Sequence, residues 1–419
     1  MAARRKPPSD AALVAALLIG ACLWIYEVFP LWPVDLFHIQ FAAYQWHVGA
    51  PERIYAIMSD TSAWVQHYDS VAVARGLTEE TVNLHYYAPF VGALLAPFSD
   101  VPVIWWQNAV FGLDVSMLFV MAWQILILCR VAVTPRTLGW ALALVLFCYP
   151  YMVAAAVVQI GPILAAALWA GLLGMRRGRA ATAGVAVGAI ATIKLFPLAV
   201  LVFPALRRNL RAVVAGVALF AGTFILSVLI LGVDIHARWI AAVRDLDSTT
   251  WPYYGNQSIS GWFVRAVLGY GILDNCFAST PVTLAVRWIS AVIIGGVTIF
   301  LLWRVRGRCP DEDFAPQAGL LLSGLILCLG IAWEHYWVFV LPALGWAIRE
   351  VWQGRDTPAG RILLTCAAFF FLAPLRPFYD LDDYGRLFSG SHTAGMILLW
   401  IWFVRRVHLR NMENAVHAL

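Results

Sequence analysis

Charge is what this 419-residue chain has least of: Asp, Glu, Lys and Arg make up 13% of it, against about 25% in an ordinary soluble domain. Hydrophobic residues make up 62%, and that much apolar surface cannot be hidden inside one water-soluble core. Lysine is scarcer still, with only Lys6 and Lys194 among 29 basic residues. The arginines recur between apolar runs instead of gathering on one face, so a net charge of +5 does not point to nucleic acid. The seven cysteines, at 22, 129, 148, 276, 309, 328 and 366, include no CxxC spacing, so neither a zinc site nor disulfides are expected. No low-complexity linker divides the chain, and no stretch remains for a large soluble domain. Residues 1–419 therefore read as a single transmembrane domain.

What the chain has in quantity is apolar runs, many of them long enough to cross a hydrocarbon layer of ~30 Å as helices and a few, such as 180–193 and 195–206, short. They fall at about 11–29, 104–129, 137–156, 158–175, 180–193, 195–206, 212–232, 284–303, 317–332, 336–350, 361–375 and 392–404, which predicts an all-α polytopic membrane protein of about 12 spans. Basic clusters at Arg4–Lys6, Arg130/Arg136, Arg176–Arg179, Arg207–Arg211, Arg304–Arg308, Arg349–Arg361 and Arg405–Arg410 go to the cytoplasm by the positive-inside rule. Arg4, Arg5 and Lys6 before the first run resemble a secretory signal, but no small-residue cleavage site follows, so a retained first helix is expected. Two long outer segments result, about 30–102 and 233–282, with a shorter one around 376–390. Within the first, Tyr86–Phe98 is apolar but short and reads as a re-entrant half-helix.

Ionisable groups near the outer side are the candidates for chemistry. Asp35 follows the first span and precedes an apolar helical pattern through Phe41 and Tyr44. The plain reading is an N-cap after Pro33, the functional one a carboxylate held at fixed depth. His38, His47, Tyr55, His67, His85, Tyr86 and Tyr87 follow it, though aromatic rings are common at membrane interfaces whatever the function. Lys194 lies at the break Ile193-Lys194-Leu195-Phe196-Pro197 between two half-length runs. In a chain that uses arginine almost everywhere else, it reads either as a snorkelling lysine or as a point charge for an anionic phosphate. Glu334, His335 and Tyr336 join two spans and suit either mutual satisfaction or sugar and phosphate binding. Asn256-Gln257-Ser258 and Gln159-Ile160-Gly161 are ordinary turn chemistry taken alone. Glu27 and Asp114 are acids inside spans, proton-carrying or structural.

Taken in order, several of these segments resemble one family. They are Val34-Asp35, Tyr86-Tyr87-Ala88-Pro89 leading to Ala96-Pro97, Gln159-Ile160-Gly161, Ala191-Thr192-Ile193-Lys194-Leu195-Phe196-Pro197 with Arg207-Arg208, Asn256-Gln257-Ser258-Ile259-Ser260-Gly261, and Glu334-His335-Tyr336. The pattern is similar to the polyprenol-phosphate-sugar-dependent glycosyltransferases of family 87, of the GT-C class. The resemblance implies inverting transfer of a hexose, mannose by analogy, from a polyprenyl-phosphate donor to a lipid or glycan acceptor at the outer face of a bacterial plasma membrane. It implies Asp35 as general base, Lys194 and His335 on the donor phosphate, Tyr87, Asn256, Gln257 and Glu334 on substrate, and no metal or cofactor. The family's Gly-Gln-x-Asn pattern reads Val158-Gln159-Ile160-Gly161 here, which weakens a role for Gln159. From the residues alone, a multi-pass transporter or a lipid-glycan flippase competes with this reading, and a midplane cavity near Asp114 would favour transport.

Overall fold

The computed structural model describes residues 9–29, 31, 33–55, 61–75, 87–270, 280–306, 313–373 and 388–416. Arg4–Lys6, His85, Tyr86 and most of the 376–390 segment fall outside them. Apart from one isolated bridge, the described backbone is helix and connecting turn.

Each apolar run drawn from the sequence falls mostly on helical backbone among the described residues. In chain order the helices are α1 (Asp10–Val28), α2 (Val34–His47), α3 (Thr61–Ala74), α4 (Pro89–Leu95), α5 (Val103–Leu128), α6 (Pro135–Leu146), α7 (Tyr149–Ala156), α8 (Gly161–Arg176), α9 (Ala180–Ile193), α10 (Val202–Leu206) and α11 (Leu210–Leu231). Helices α12 (Val233–Asp247) and α13 (Ile259–Ala266) follow, then α14 (Pro281–Arg304), α15 (Phe314–Leu327), α16 (Leu341–Trp352), α17 (Pro358–Leu372) and α18 (Ser391–Val416). Among the described residues, α1, α5, α11 and α14 are each long and apolar enough to cross a membrane alone, and α6 with α7 form a fifth span if that pair, bent by 68°, is one crossing. On α11 and α14 the apolar side chains point outward, Leu229 being 78% exposed and Val292 69%, as lipid-facing surface requires.

The helix starts are written locally. Thr134 and Thr280 accept from the backbone N–H three residues on, Thr137 and Thr283 return the bond, and Pro135 and Pro281 open α6 and α14, which satisfies donors that have no partner inside the helix. Where the sequence suggested continuous helices, two stretches tighten into 3-10 backbone. Phe196–Leu201 follows the extended Lys194 and carries Pro197 in its first turn. Glu334–Val340 runs through the centre of the bundle, with Trp337, Val338, Phe339 and Val340 wholly buried. The carbonyl of Phe339 takes a 2.7 Å bond from Trp169 Nε1, so this irregular backbone is satisfied by protein where lipid could not satisfy it.

Small residues set the position of Lys194. A Cβ on Gly188 of α9 would lie 2.5 Å from the Gly216 carbonyl of α11, and one on Gly216 would lie 2.8 Å from Leu201. The helices touch through backbone here, as membrane helices do where small residues meet. Gly188→Val should wedge them apart, at a cost of about 1–3 kcal/mol or more, read as a lower unfolding temperature in detergent.

Some of the clustered arginines are neutralised by acidic partners. Glu350 pairs with Arg355 at 2.6 Å and Arg406 at 2.9 Å, Asp356 with Arg405 at 2.7 Å, and Asp313 with Arg410 at 2.6 Å. This network ties α16, α17 and α18 together.

Candidate active site

Asp35 is the second residue of α2, whose N-cap position belongs to Pro33. The N-cap reading therefore fails: the carboxylate accepts a 2.7 Å bond from Gln159 Nε2 of a distant segment. Gln159 Oε1 in turn accepts from Tyr87 Oη at 2.9 Å, and the Tyr87 carbonyl accepts from Tyr55 Oη at 2.7 Å. Tyr87 thus fixes the amide so that its N–H group faces Asp35. On the other side of the carboxylate, His38 Nε2 lies 3.8 Å from Oδ1.

Burial raises the Asp35 pKa above the ordinary carboxylate value, while the Lys194 charge and the Gln159 hydrogen bond pull it back down. Desolvation dominates because it disfavours the charged form outright.

Lys194 ends α9 and reaches the same cavity. Its Nζ lies 4.1 Å from the ring centroid of Tyr336 and 5.9 Å from that of Tyr87, and Phe196 stacks behind Tyr336 at 5.2 Å. Among the described residues its close neighbours are phenol faces and not an ion-paired carboxylate. Such contacts hold an ammonium by about 0.5–2 kcal/mol, and they keep it on the cavity wall.

The cavity has a volume of about 310 Å³. Asp35, His38, Tyr87, Gln159, Lys194 and Tyr336 line one part of it, and Trp239, Trp251, Trp333, Val243, Leu246 and Arg287 line another. Asp35 is its only acidic wall residue among those described. Trp251 and Trp333 meet edge to face at 5.1 Å, offering an apolar surface for the C–H face of a sugar ring.

Other predicted site residues sit elsewhere. Asn256 and Gln257, which the resemblance places on substrate, are wholly buried and do not line this cavity. Asn256 donates to the Trp251 carbonyl at 2.8 Å and accepts from the backbone of Ser258 and Ala332 at 3.1 Å each. Gln257 donates to the carbonyls of Tyr254 and Ser389 at 2.7 Å each and accepts from Thr393 N at 3.1 Å. With their amides spent on backbone, they clamp three chain segments together and have little left for a ligand. Arg265 reinforces the clamp, donating to the carbonyls of Pro252, Tyr253 and Asn256 at 3.0 Å each. Glu334 is also off the wall, 3.9 Å from His392 Nδ1. His335 lies one step behind Tyr336, its ring edge-on at 4.9 Å, and does not line the cavity either. Asp114 is buried in α5, away from this cavity.

Gln159 was undervalued for lack of the expected glycine before it. Val158 occupies that position with φ of 54°, the left-handed region that glycine enters freely and a β-branched residue only under strain. The backbone turn that aims Gln159 at Asp35 is therefore kept without the glycine. The tryptophans and Arg287 carry no motif that would have marked them.

Over 189 residues the chain is 27% identical to the polyprenol-phosphate-mannose-dependent α-(1-2)-phosphatidylinositol mannoside mannosyltransferase of Mycobacterium tuberculosis, covering 43% of this chain and 41% of that protein. Over 206 residues it is 29% identical to the corresponding phosphatidylinositol pentamannoside mannosyltransferase of the same species, covering 48% and 42%. The match thus spans about two fifths of each relative's length. Asp35 and Glu334-His335-Tyr336 lie outside residues 85–329, the stretch that matches the family model. That stretch makes up more than half of the 419 residues, and the chain belongs to glycosyltransferase family 87.

Proposed function

We propose that the protein is a hexosyltransferase that moves a hexose, mannose by likeness to its relatives, from a polyprenyl-phosphate sugar to a hydroxyl of a lipid-linked or extracytoplasmic acceptor, with inversion. The carrying observation is that Asp35 and Lys194, remote in sequence, line one cavity. The reading extends to one GT-C-type domain over residues 1–419 in a bacterial plasma membrane, with this cavity facing the cell exterior.

The acceptor oxygen attacks the anomeric carbon while its proton passes to Asp35. The anomeric C–O bond breaks, and its electron pair leaves on the lipid phosphate. A phosphate departs readily without protonation, so a single carboxylate suffices where a glycosidase needs two. Lys194 stabilises the growing phosphate charge. Tyr87 and Gln159 hold the base, and Trp251 and Trp333 bear on the sugar. His335 supports Tyr336 from behind. A transporter would need an ionisable group inside a midplane cavity, and the site of Asp114 does not favour it.

Incubating the purified protein with labelled polyprenyl-phosphate mannose and membrane lipids should yield a labelled lipid product whose anomeric configuration is opposite to the donor's. Absence of transfer, or a product of retained configuration, would remove this reading.

A further inference from the structure

His38 lines the cavity, and the mechanism above gives it no role. It follows Asp35 by one helical turn in α2, and its two ring nitrogens face different groups: Nε2 lies 3.8 Å from Asp35 Oδ1, and Nδ1 lies 3.3 Å from Tyr68 Oη. Tyr68 is wholly buried on α3, packed against Phe37 at 5.1 Å and Phe41 at 4.9 Å, so the phenol has little freedom to turn away.

An ionised carboxylate accepts hydrogen bonds and donates none, so the nitrogen facing it must carry the proton. In a neutral imidazole the other nitrogen is then the acceptor, and the Tyr68 hydroxyl is placed to donate to it. Gln159 engages Oδ2 and His38 approaches Oδ1, so the two carboxylate oxygens have separate keepers on opposite sides. At 3.8 Å the His38 contact is electrostatic and not yet a hydrogen bond, a separation typical of catalytic groups before substrate closes the site.

We propose that His38, its tautomer set by Tyr68, is a positioning residue for Asp35, presenting an N–H group to Oδ1 that orients the carboxylate and favours its ionised form. This rests on Asp35 being the base. The other charged or titratable groups around the pair are Asp69 beside Tyr68, Tyr87, Lys194, Tyr336 and, across the cavity, Arg287. None of these is changed in the variants below.

The test is an infrared titration of the purified protein, following the carboxylic-acid band that Asp35→Asn removes. His38→Ala should move its midpoint upward by about half to one pH unit. Tyr68→Phe, which keeps the ring and loses the hydroxyl, should move it the same way, and His38→Gln, which retains an N–H donor, should move it least. In transfer assays the same variants should lower kcat with little change in KM, with the acid limb shifted in step. A midpoint unmoved in both His38→Ala and Tyr68→Phe, or moved downward, overturns the proposal. If His38→Ala does not fold, Tyr68→Phe decides alone. Retained turnover in Asp35→Asn would instead remove the base assignment, and it leaves this titration readable, so the two failures are separable.

Discussion

Asp35→Asn is expected to leave a folded protein that still binds the donor lipid but transfers sugar about 10²–10⁴-fold more slowly, the usual contribution of a positioned base. The change is nearly isosteric, and an amide can take up the 2.7 Å contact with Gln159 if either side chain flips, so the fold should survive. What the amide cannot do is accept the acceptor's proton. The pH profile follows from the same group. Burial lifts the Asp35 pKa, and the base works only when ionised, so turnover should fall as pH drops through a value above the ordinary carboxylate pKa of about 4. Wild-type protein assayed across acid pH would show this limb, and normal turnover by Asp35→Asn would remove the mechanism.

Lys194→Ala carries the second large effect, and it has two separable parts. Donor affinity should fall by about 10–100-fold, the value of a charge-assisted hydrogen bond to phosphate, measured by titrating polyprenyl-phosphate mannose. The acid limb should also move to higher pH, because the ammonium is among the influences lowering the Asp35 pKa. Its loss leaves burial less opposed, and the carboxylate holds its proton to higher pH. Lys194→Arg should restore the limb more fully than the affinity: the charge returns, but a planar guanidinium does not fit where a compact ammonium lies 4.1 Å above the Tyr336 ring. Unchanged donor affinity in Lys194→Ala would reassign the lysine.

The all-helical membrane class was legible because it depends on run length and charge scarcity, which are sums over many residues. Lys194 stood out because lysine is nearly absent elsewhere, and Asp35 because it follows a span directly. The 3-10 course of Glu334–Val340 was not legible, since a buried apolar run has the same composition whether wound as 3-10 or α backbone. Asn256 and Gln257 misled for a related reason: an amide suited to sugar hydroxyls is equally suited to peptide carbonyls, and only the folded chain decides which it meets. Gln159 was hidden by Val158, because its importance lies in a backbone angle that the valine adopts against its own preference. The tryptophan wall and Arg287 come together from α12, α14 and two loops, a convergence that no local spacing records.

The setting of Lys194 between two phenol rings bears on how the reaction cycle turns over. A carboxylate at that position would compete with any incoming anion and would have to be displaced each time. Aromatic faces soothe the ammonium without contesting it, so a lipid phosphate can arrive, gain charge as the sugar departs, and leave again without an internal ion pair being broken or remade.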